Sequence, residues 1–389
     1  MAVEVAVGAT ETAGSVETSG PQGATEAAGA AARLDASDAT ARAQTRRIEV
    51  GGVPLGGGAP VVVQSMLSTR TEDAEACLAQ VAALAAAGCE LVRVAVPAHS
   101  ALDAFGRICA ASPLPVVADI HFDHRLALGA LGRGAAKLRV NPGNIGDIAK
   151  VDAVIEAAGA AGVPIRIGVN AGSLAAAFAE RADLGLPERL AGSALAFLEH
   201  FEQRGFTDVV LSAKAHDVRT AVEACRILAH EAPQAPLHLG VTEAGTLTQG
   251  TVRSSVGLGA LLLEGIGDTL RVSLTADPVK EVQVAWELLS ACGLRRRAPE
   301  LVSCPTCGRC KVDLIRIAEE AQRRLAEVSK PLSVAVMGCV VNGPGEASAA
   351  DVGVACGEGK GAVFAKGKVL YTVDESRIVD ALMEEVARL

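Results

Sequence analysis

The sequence predicts an α/β fold, a (β/α)8 TIM barrel followed by a smaller α+β domain. Short β-branched runs alternate with longer Ala- and Leu-rich patterns of helical spacing, and this alternation occurs eight times before it stops near Pro299. The eight strand–helix units occupy about 235 residues, close to the roughly 250 residues of a typical barrel. A doubly wound sheet is the alternative, but eight regular units favour a closed barrel.

The composition of the chain argues against nucleic-acid and membrane partners. Among 389 residues, 36 Lys and Arg stand against 45 Asp and Glu, so the formal net charge of −9 is unfavourable for neutralising nucleic-acid phosphates. No apolar run reaches the roughly 18 residues of a membrane-spanning helix, and the N-terminus lacks the pattern of a secretory signal. We therefore expect a cytoplasmic protein.

The chain begins with a segment, residues 1–44, for which the composition predicts disorder. It is rich in Ala, Gly, Thr, Ser and Glu and contains no aromatic residue. Such a segment buries too little apolar surface to offset the entropy lost on ordering. The barrel is therefore expected over residues 45–298.

The barrel region contains eight predicted strands. They are Val61–Met66, Glu90–Pro97, Pro115–Phe122, Lys137–Pro142, Pro164–Asn170, Asp208–Ala215, Pro236–Ala244 and Thr269–Leu274. Between them, apolar residues recur at helical spacing, for example in Asp73–Gly88, Asp147–Gly162, Val218–Ala232 and Asp277–Gly293. Several of these segments end in Gly, which helix C-termini prefer.

Residues 299–389 are expected to form the second domain. A cysteine-rich turn leads to a helix near Val312–Val328 and a buried strand at Leu332–Met337. A Gly/Pro loop, a hairpin near Ala362–Val373 and a helix from Glu375 complete the chain. The mixture of strands and helices without regular alternation is typical of an α+β domain.

Polar residues collect near the carboxyl ends of the predicted barrel strands, where barrel enzymes have their active sites. They are Gln64, Arg93, Asp119, His121, Arg139, Asn141, Arg166, Asn170, Lys214, Glu243, Arg271 and Ser273. A single arginine in a strand could form an outward-facing salt bridge. Four arginines and a lysine on five strands instead indicate an anionic ligand, because guanidinium groups bind phosphate oxygens bidentately. We therefore expect a phosphate-bearing substrate.

Three titratable side chains of this region admit more than one role. His121 could ligate a metal beside Asp119, but without a second His at a suitable spacing, a hydrogen bond to substrate is the favoured role. His238 lies too early in its strand for the active-site end, so a core position is expected. Glu243, at a strand end among arginines, is a candidate general acid or base, with an arginine partner as the alternative.

The ten cysteines are too few for a disulfide scaffold, and their spacing separates two groups. Cys77, Cys89, Cys109, Cys225 and Cys292 occur singly in apolar or helical segments and are expected to be inert. Cys304, Cys307 and Cys310 are three residues apart, and Cys339 follows. This spacing predicts a metal centre. An iron–sulfur cluster and a four-thiolate zinc site both fit it.

Several motifs together resemble the 4-hydroxy-3-methylbut-2-enyl diphosphate synthase family over residues 47–389, about the whole chain after the tail. They are Gln64–Met66, Val92–Val94, Ala118–Asp123, Leu138–Gly146, Arg166–Leu174, His238–Gly245, Glu264–Leu274, Ser303–Cys310 and Met337–Glu346. The resemblance implies an oxidoreductase of the non-mevalonate isoprenoid pathway. It would open the ring of 2-C-methyl-D-erythritol 2,4-cyclodiphosphate by two-electron reduction, giving (E)-4-hydroxy-3-methylbut-2-enyl diphosphate and water.

The resemblance also implies roles for individual residues. A [4Fe–4S] cluster would be held by Cys304, Cys307, Cys339 and Glu346, which leaves Cys310 outside the ligand set. Glu243 would be the catalytic proton donor. The substrate would be bound by Arg93, Asp119, His121, Arg139, Asn141, Arg166, Asn170, Lys214, Thr242, Arg271 and Ser273.

The implied partners are flavodoxin or ferredoxin as the electron donor and a second copy of the chain. In the family, the cluster domain of one subunit covers the barrel of the other. The chain lacks the insertion of plant-type members and so resembles the short bacterial form. A phosphosugar aldolase or pterin-type transferase barrel with a structural zinc domain is the competing interpretation, because it also explains a cationic site and four thiols.

Overall fold

The computed structural model describes residues 42–339 and 347–389, and it begins with a hairpin that the sequence did not predict. Its strands are β1 (Ile48–Val50) and β2 (Val53–Leu55). Gly51 and Gly52 form the turn with φ of 56° and 86°, as a two-residue hairpin of this twist requires. Apolar side chains of the hairpin pack under the first residues of the barrel strands and form an apolar plug: Ile48, Val50, Leu55, Val62, Leu91, Val117 and Val210.

Eight parallel strands form the barrel, which confirms the predicted fold class. They are β3 (Val62–Met66), β4 (Leu91–Ala95), β5 (Val116–Ile120), β6 (Lys137–Val140), β7 (Ile165–Asn170), β8 (Val209–Lys214), β9 (His238–Leu239) and β10 (Thr269–Leu270). Their order is β8-β7-β6-β5-β4-β3-β10-β9, and a parallel bridge between Leu211 and Leu237 brings β8 to β9. The barrel is thereby closed.

Helices follow the strands and surround them. They are α1 (Ala74–Ala87), α2 (Leu102–Ala111), α3 (His124–Leu131), α4 (Pro142–Ile145), α5 (Ile148–Ala161), α6 (Ala176–Ala179), α7 (Leu186–Gln203), α8 (Val218–Glu231), α9 (Leu247–Leu263) and α10 (Pro278–Ala291). Aspartate side chains accept backbone N–H bonds at the starts of α1, α3, α5, α8 and α10. Among the residues described, no helix is long and apolar enough to cross a membrane.

The last two barrel strands are shorter than the sequence predicts. Instead of Pro236–Ala244 and Thr269–Leu274, the ladders include only β9 and β10, of two residues each. Single backbone bonds to the neighbouring strands continue just past both ends, because the N–H of Arg271 donates to the carbonyl of Leu239 and that of Thr242 to the carbonyl of Ala215. The N–H of Leu274 donates to the side chain of Glu281. The segment after β10 has therefore left the barrel wall by Leu274, near the active-site end.

The second domain is a five-stranded sheet with two helices on one face. Its elements are β11 (Glu300–Ser303), α11 (Leu314–Leu325), β12 (Ser333–Met337), β13 (Val352–Cys356), β14 (Lys360–Ala365), β15 (Lys368–Asp374) and α12 (Ile378–Arg388), with strand order β11 to β15. The predicted helix, buried strand, hairpin and terminal helix are confirmed, whereas β11 and β13 were not predicted. The predicted Gly/Pro loop lies mostly outside the described residues.

Candidate active site

Asp119 is the centre of a charged network at the carboxyl ends of the barrel strands, here called the mouth. Its carboxylate lies 4.0 Å from Arg93 Nε, 3.3 Å from Arg139 Nη1 and 3.3 Å from His121 Nε2. Arg139 Nη1 is also 3.2 Å from His121 Nε2, and Nη2 donates to the carbonyl of Gly168. The structure thus brings together four residues from the predicted substrate site.

Burial and neighbouring charges act together on the protonation of this network. Burial alone would raise the pKa of the Asp119 carboxyl, but Arg93, the His121 hydrogen bond and Arg139 hold that pKa well below its usual range. Burial lowers the pKa of Arg93 to about 10; Asp119 offsets part of this, while Arg271 and Arg139 repel its charge. An anion among these guanidinium groups would relieve their mutual repulsion.

The thioether of Met66 separates two of the mouth arginines. Arg93 donates to Met66 Sδ from Nε and Nη2 at 3.1 and 2.8 Å, and Arg271 Nη1 lies 3.9 Å from the same sulfur. The opposite edge of Arg271 pairs with Glu281 at 3.0 and 3.2 Å. Because a neutral sulfur is a weak acceptor, these guanidinium edges retain capacity for a stronger anionic partner.

Below the mouth lies a deeper layer of polar side chains inside the barrel. It consists of Gln64, Lys137, Arg166, Ser212, His238 and Thr269, each at most 2% exposed. Arg166 Nη1 donates to Ser212 Oγ at 2.7 Å, and His238 Nδ1 is 3.4 Å from Thr269 Oγ1. The sequence analysis placed Arg166 near a strand end, but it is the second residue of β7 and belongs to this layer. His238 occupies the core position expected.

Two titratable side chains of the deeper layer, Lys137 and His238, and the neighbouring Lys214 all have pKa values shifted towards the uncharged form. Burial, followed by repulsion from Arg166 and Arg93, lowers the pKa of Lys137 to about 7. Burial and the surrounding cations lower the pKa values of Lys214 and His238 well below their ordinary values. A nearby anion would reverse this tendency, because it favours the charged amine.

Two glycines leave room for cationic side chains. A Cβ atom on Gly168 would lie 2.6 Å from Arg139 Nε, and one on Gly240 would lie 2.5 Å from Lys214 Nζ. Side-chain atoms do not approach so closely, so any other residue would displace the cation. These positions therefore hold Arg139 and Lys214 inside the barrel wall.

Asn141, just after β6, and Asn170, at the end of β7, both bond to Ser173 in the loop that follows β7. Asn141 Nδ2 donates to the carbonyl and Oγ of Ser173 at 2.9 and 2.6 Å, and its Oδ1 accepts the N–H of Gly143. The carbonyl of Asn170, the last residue of β7, accepts the N–H of Ser173. Asn141 thus shapes the loop beside the mouth.

Glu243 lies exposed beyond the mouth, between β9 and α9. Its backbone has φ of 53°, in the left-handed region that residues other than glycine rarely adopt. The N–H of the preceding Thr242 donates to the carbonyl of Ala215, which holds this turn at the end of β8. Ser273 is half-buried in the segment after β10. Such backbone strain clusters at active sites and is a reason to retain Glu243 as a candidate.

Two thiols meet at Gly338 in the second domain. The N–H of Gly338 donates to Cys304 Sγ at 3.1 Å, and a Cβ on this glycine would lie 2.9 Å from Cys310 Sγ and 3.6 Å from Cys304 Sγ. Cys307 is exposed in the same turn, and Cys339 follows Gly338 directly. The two segments meet because β11 and β12 are parallel and end side by side.

The thiols are suited by their chemistry to an iron–sulfur cluster, although their side chains are spread apart. In residues 42–339 and 347–389, no three His, Cys, Asp or Glu side chains are close enough together to hold a metal ion. Glu346 lies outside the described residues. The fit rests on thiols supplied by two adjacent loops and on the N–H bond to Cys304 sulfur, since such bonds tune cluster thiolates.

Cys356 is a thiol that the sequence analysis did not single out. It is fully buried on β13 and packs in the same apolar cluster as Cys304 and Cys310. Burial raises the pKa of its thiol to about 12, and burial has the same effect on Cys89, Cys109 and Cys225. These thiols are protonated and therefore unreactive, as expected for the last three.

Comparison with protein families assigns both domains. The family model described as the GcpE TIM-barrel domain matches residues 45–286, and that described as the GcpE protein C-terminal domain matches residues 300–388. The chain belongs to the GcpE family. The resemblance stated from the motifs is thereby confirmed.

GcpE relatives match the chain at high identity. The Geobacter sulfurreducens protein named 4-hydroxy-3-methylbut-2-en-1-yl diphosphate synthase (flavodoxin) is 53% identical over 348 residues, which is 90% of this chain and 98% of that protein. A protein of the same name from Lawsonia intracellularis is 52% identical over 349 residues, with 90% and 97% covered. Among solved structures, dihydropteroate synthase from Stenotrophomonas maltophilia has a TM-score of 0.47 at 16% identity, covering 64% and 99% of the two chains.

Several polar or spacing residues of this GcpE barrel escaped the sequence analysis, among them Lys137, Gly168 and Glu281. Lys137 could have been found, because it precedes Arg139 by two residues and so shares its strand face. Gly168 also had a signal, since glycine within a strand indicates a close approach. Glu281 had none, because an acidic residue in the first turn of a helix is common.

Proposed function

We propose that the chain is the GcpE synthase that opens the ring of 2-C-methyl-D-erythritol 2,4-cyclodiphosphate by two-electron reduction. The products would be (E)-4-hydroxy-3-methylbut-2-enyl diphosphate and water. The single observation that carries this proposal is the cluster of guanidinium groups around Asp119 and Met66 in a chain 53% identical to a protein of that name. Within this proposal, residues 45–298 bind the substrate and residues 299–389 carry the cluster.

The diphosphate is proposed to bind between the mouth arginines. Arg93, Arg139 and Arg271 present N–H groups from three strands, and a diphosphate has enough oxygens to accept from all of them. Lys214 and Arg166, buried close to this group, would be drawn to the same charge. Asp119, His121, Asn141, Asn170, Thr242 and Ser273 are proposed to complete the contacts with the substrate.

The cluster is proposed to be bound by Cys304, Cys307, Cys339 and Glu346. When bound, a [4Fe–4S] cluster would supply electrons one at a time. The chain's own contribution would be the N–H of Gly338, which stabilises negative charge on the Cys304 sulfur. A carboxylate ligand such as Glu346 exchanges more readily than a thiolate and would leave one position open.

Glu243 is proposed to supply the proton that leaves with the hydroxyl as water. Its exposure beyond the mouth allows exchange of protons with solvent, and its strained backbone lies in the turn between β9 and α9. Asp119 is unsuited to this role. Its charge is already shared by two arginines and His121, which hold its pKa low.

The electron donor is proposed to be flavodoxin, because the names of the relatives specify flavodoxin; ferredoxin remains the competing donor in the test. A homodimer is also proposed. Large apolar side chains are exposed along α9, with Val252 at 58%, Val256 at 59% and Leu263 at 52%, and such patches support association of subunits. The mass of the protein in solution would measure the association directly.

The decisive experiment is anaerobic turnover of the cyclodiphosphate with a chemical one-electron reductant, with and without flavodoxin or ferredoxin. We expect the linear diphosphate as product, together with iron and sulfide in the purified protein. Stoichiometric zinc in a colourless protein without turnover would instead favour the transferase-like alternative. Product formation only with ferredoxin would correct the donor and leave the reaction unchanged.

A further inference from the structure

Glu281 is a buried carboxylate that connects three parts of the mouth. It lies in the first turn of α10, is 3% exposed, and is not the cap of its own helix, since Asp277 has that position. Oε1 accepts the N–H of Leu274 at 2.9 Å and Arg271 Nη2 at 3.0 Å. Oε2 accepts Arg271 Nε and the hydroxyl of Ser65, both at 3.2 Å.

These contacts determine which edge of Arg271 faces the mouth. Glu281 pairs with the Nε–Nη2 edge of the guanidinium, so Nη1 is the group directed towards Met66 and Arg93. Ser65 and Leu274 hold the carboxylate on its other sides. A guanidinium that donates to both oxygens of a carboxylate cannot rotate without breaking both hydrogen bonds.

The pairing also divides the mouth cations into two kinds. Arg93 and Arg139 share Asp119 with each other and with His121. Arg271 instead has a carboxylate of its own, less exposed than the arginine it holds. Its position is therefore set before any ligand arrives, and preorganisation of this kind lowers the entropy lost on binding.

We propose that Glu281 is a positioning residue of the anion site, which orients Arg271 for the diphosphate and joins α10 to the mouth. The identity of the anion rests on the function proposed above. Glu281 itself does not touch the substrate in this proposal and acts through Arg271.

Glu281→Gln is a sensitive test, because both oxygens of Glu281 act only as acceptors. An amide would turn its NH2 group towards a donor, either the N–H of Leu274 or the guanidinium of Arg271. Glu281→Asp keeps the buried charge, so that folding is retained, but the shorter side chain cannot reach both partners at their present distances. We expect the loss of affinity in the Asp variant to be intermediate.

Glu90→Gln provides a matched control at the opposite end of β3. Glu90 binds Arg295 through both oxygens at 2.7 and 2.9 Å and accepts the N–H of Val63 at 2.9 Å. It therefore combines an arginine pair and a backbone bond, as Glu281 does, but away from the mouth. The Glu90 pair is half-buried rather than buried, but loss of an arginine–carboxylate pair alone should lower the thermal midpoint in both variants.

The experiment measures binding of the cyclodiphosphate and of inorganic diphosphate to the anaerobic holoenzyme by calorimetry, together with KM, kcat and the thermal midpoint. For Glu281→Gln we expect both dissociation constants and KM to rise about 10- to 100-fold, with kcat changing less than about threefold. Glu90→Gln should bind both ligands as the wild type does. A lower thermal midpoint with unchanged affinity in both Glu281 variants would overturn the proposal.

The use of two ligands distinguishes failure of this inference from failure of the proposed function. If the wild type binds diphosphate but neither binds nor converts the cyclodiphosphate, the proposed reaction is wrong. Dependence of diphosphate affinity on Glu281 would then still support the positioning role. Equal losses of affinity in Glu90→Gln and Glu281→Gln would mean that the effect is general destabilisation, which overturns the inference alone.

Discussion

Replacement of Arg139 by lysine tests the central binding claim, because it keeps the charge and removes the planar fork. Arg139 Nη1 is 3.3 Å from Asp119 Oδ1, and Nη2 donates to the carbonyl of Gly168 at 3.2 Å. A lysine amine is a single point of charge and cannot meet both partners while also donating to a phosphate oxygen. The substitution should therefore weaken binding even though the net charge is unchanged.

The expected loss follows from the number of charge-assisted bonds. One such bond to substrate contributes about 1.5–3 kcal/mol, so the affinity of Arg139→Lys should fall roughly 10- to 150-fold. The loss in Arg139→Ala should be larger, because Asp119 would also lose one of its two arginine partners. Calorimetry with the oxidised holoenzyme measures the affinity without turnover.

Arg295→Lys is the matched control for this prediction. Arg295 also forms a two-pronged pair, with Glu90 at 2.7 and 2.9 Å, but it lies away from the mouth. We expect it to change the thermal midpoint and leave the affinity for the cyclodiphosphate unaltered. Wild-type affinity in Arg139→Ala would refute the assignment of Arg139 to the diphosphate.

Further predictions concern the proton donor, the cluster ligand and the stability of the barrel. Glu243→Gln should retain substrate binding and iron content but lose turnover on the order of 10²–10⁴-fold; near-normal turnover would leave Glu243 as a charge partner. Cys310→Ser should keep cluster and activity, whereas Glu346→Ala should decay towards a three-iron form and lose activity; the opposite result would assign Cys310 as the ligand. Burial raises the pKa of Asp268 from 3.8 to about 6, with hydrogen bonds from Leu237 and Thr45 opposing part of this shift. Because the pKa of Asp268 is higher in the folded state, its protonation stabilises the fold below about pH 4, and this stabilisation is lost as the pH rises through about 6. The free energy of unfolding of Asp268→Asn should therefore rise by about 3 kcal/mol relative to that of the wild type between these two pH values, as measured by denaturant titration. An unchanged difference between the two proteins at pH 4 and pH 7 would contradict it.

The sequence was sufficient for the parts of the site that depend on strand register. Arg93, Asp119 and Arg139 lie on neighbouring strands, and Asp119 is the direct register partner of Arg139. In a parallel barrel, residues at equivalent places along adjacent strands become neighbours, so their meeting could be expected from the alternation alone. Fold class and mouth network were predicted for the same reason.

Other contacts join side chains that are far apart in the sequence, and such contacts leave no local sequence pattern. Ser65 and Glu281 are 216 residues apart, and Arg271 and Met66 are 205 apart. The course of the chain after β10 depends on such a contact too, since the N–H of Leu274 bonds to the Glu281 side chain. Periodicity reports which face of an element is buried, but it carries no information about such partners.

The charges inside the barrel are unbalanced in the absence of a ligand. Six cationic side chains of the mouth and its surroundings are accompanied there by two carboxylates, Asp119 and Glu281; the cations are Arg93, Lys137, Arg139, Arg166, Lys214 and Arg271. Buried charges without partners destabilise a folded protein, and the lowered pKa of Lys137 is one response to this cost. A diphosphate would supply the missing negative charge, so that binding should stabilise the folded state by linkage. Until it binds, apolar packing has to offset this cost, and the extensive core between the strands and the surrounding helices, together with the apolar plug, supplies that packing.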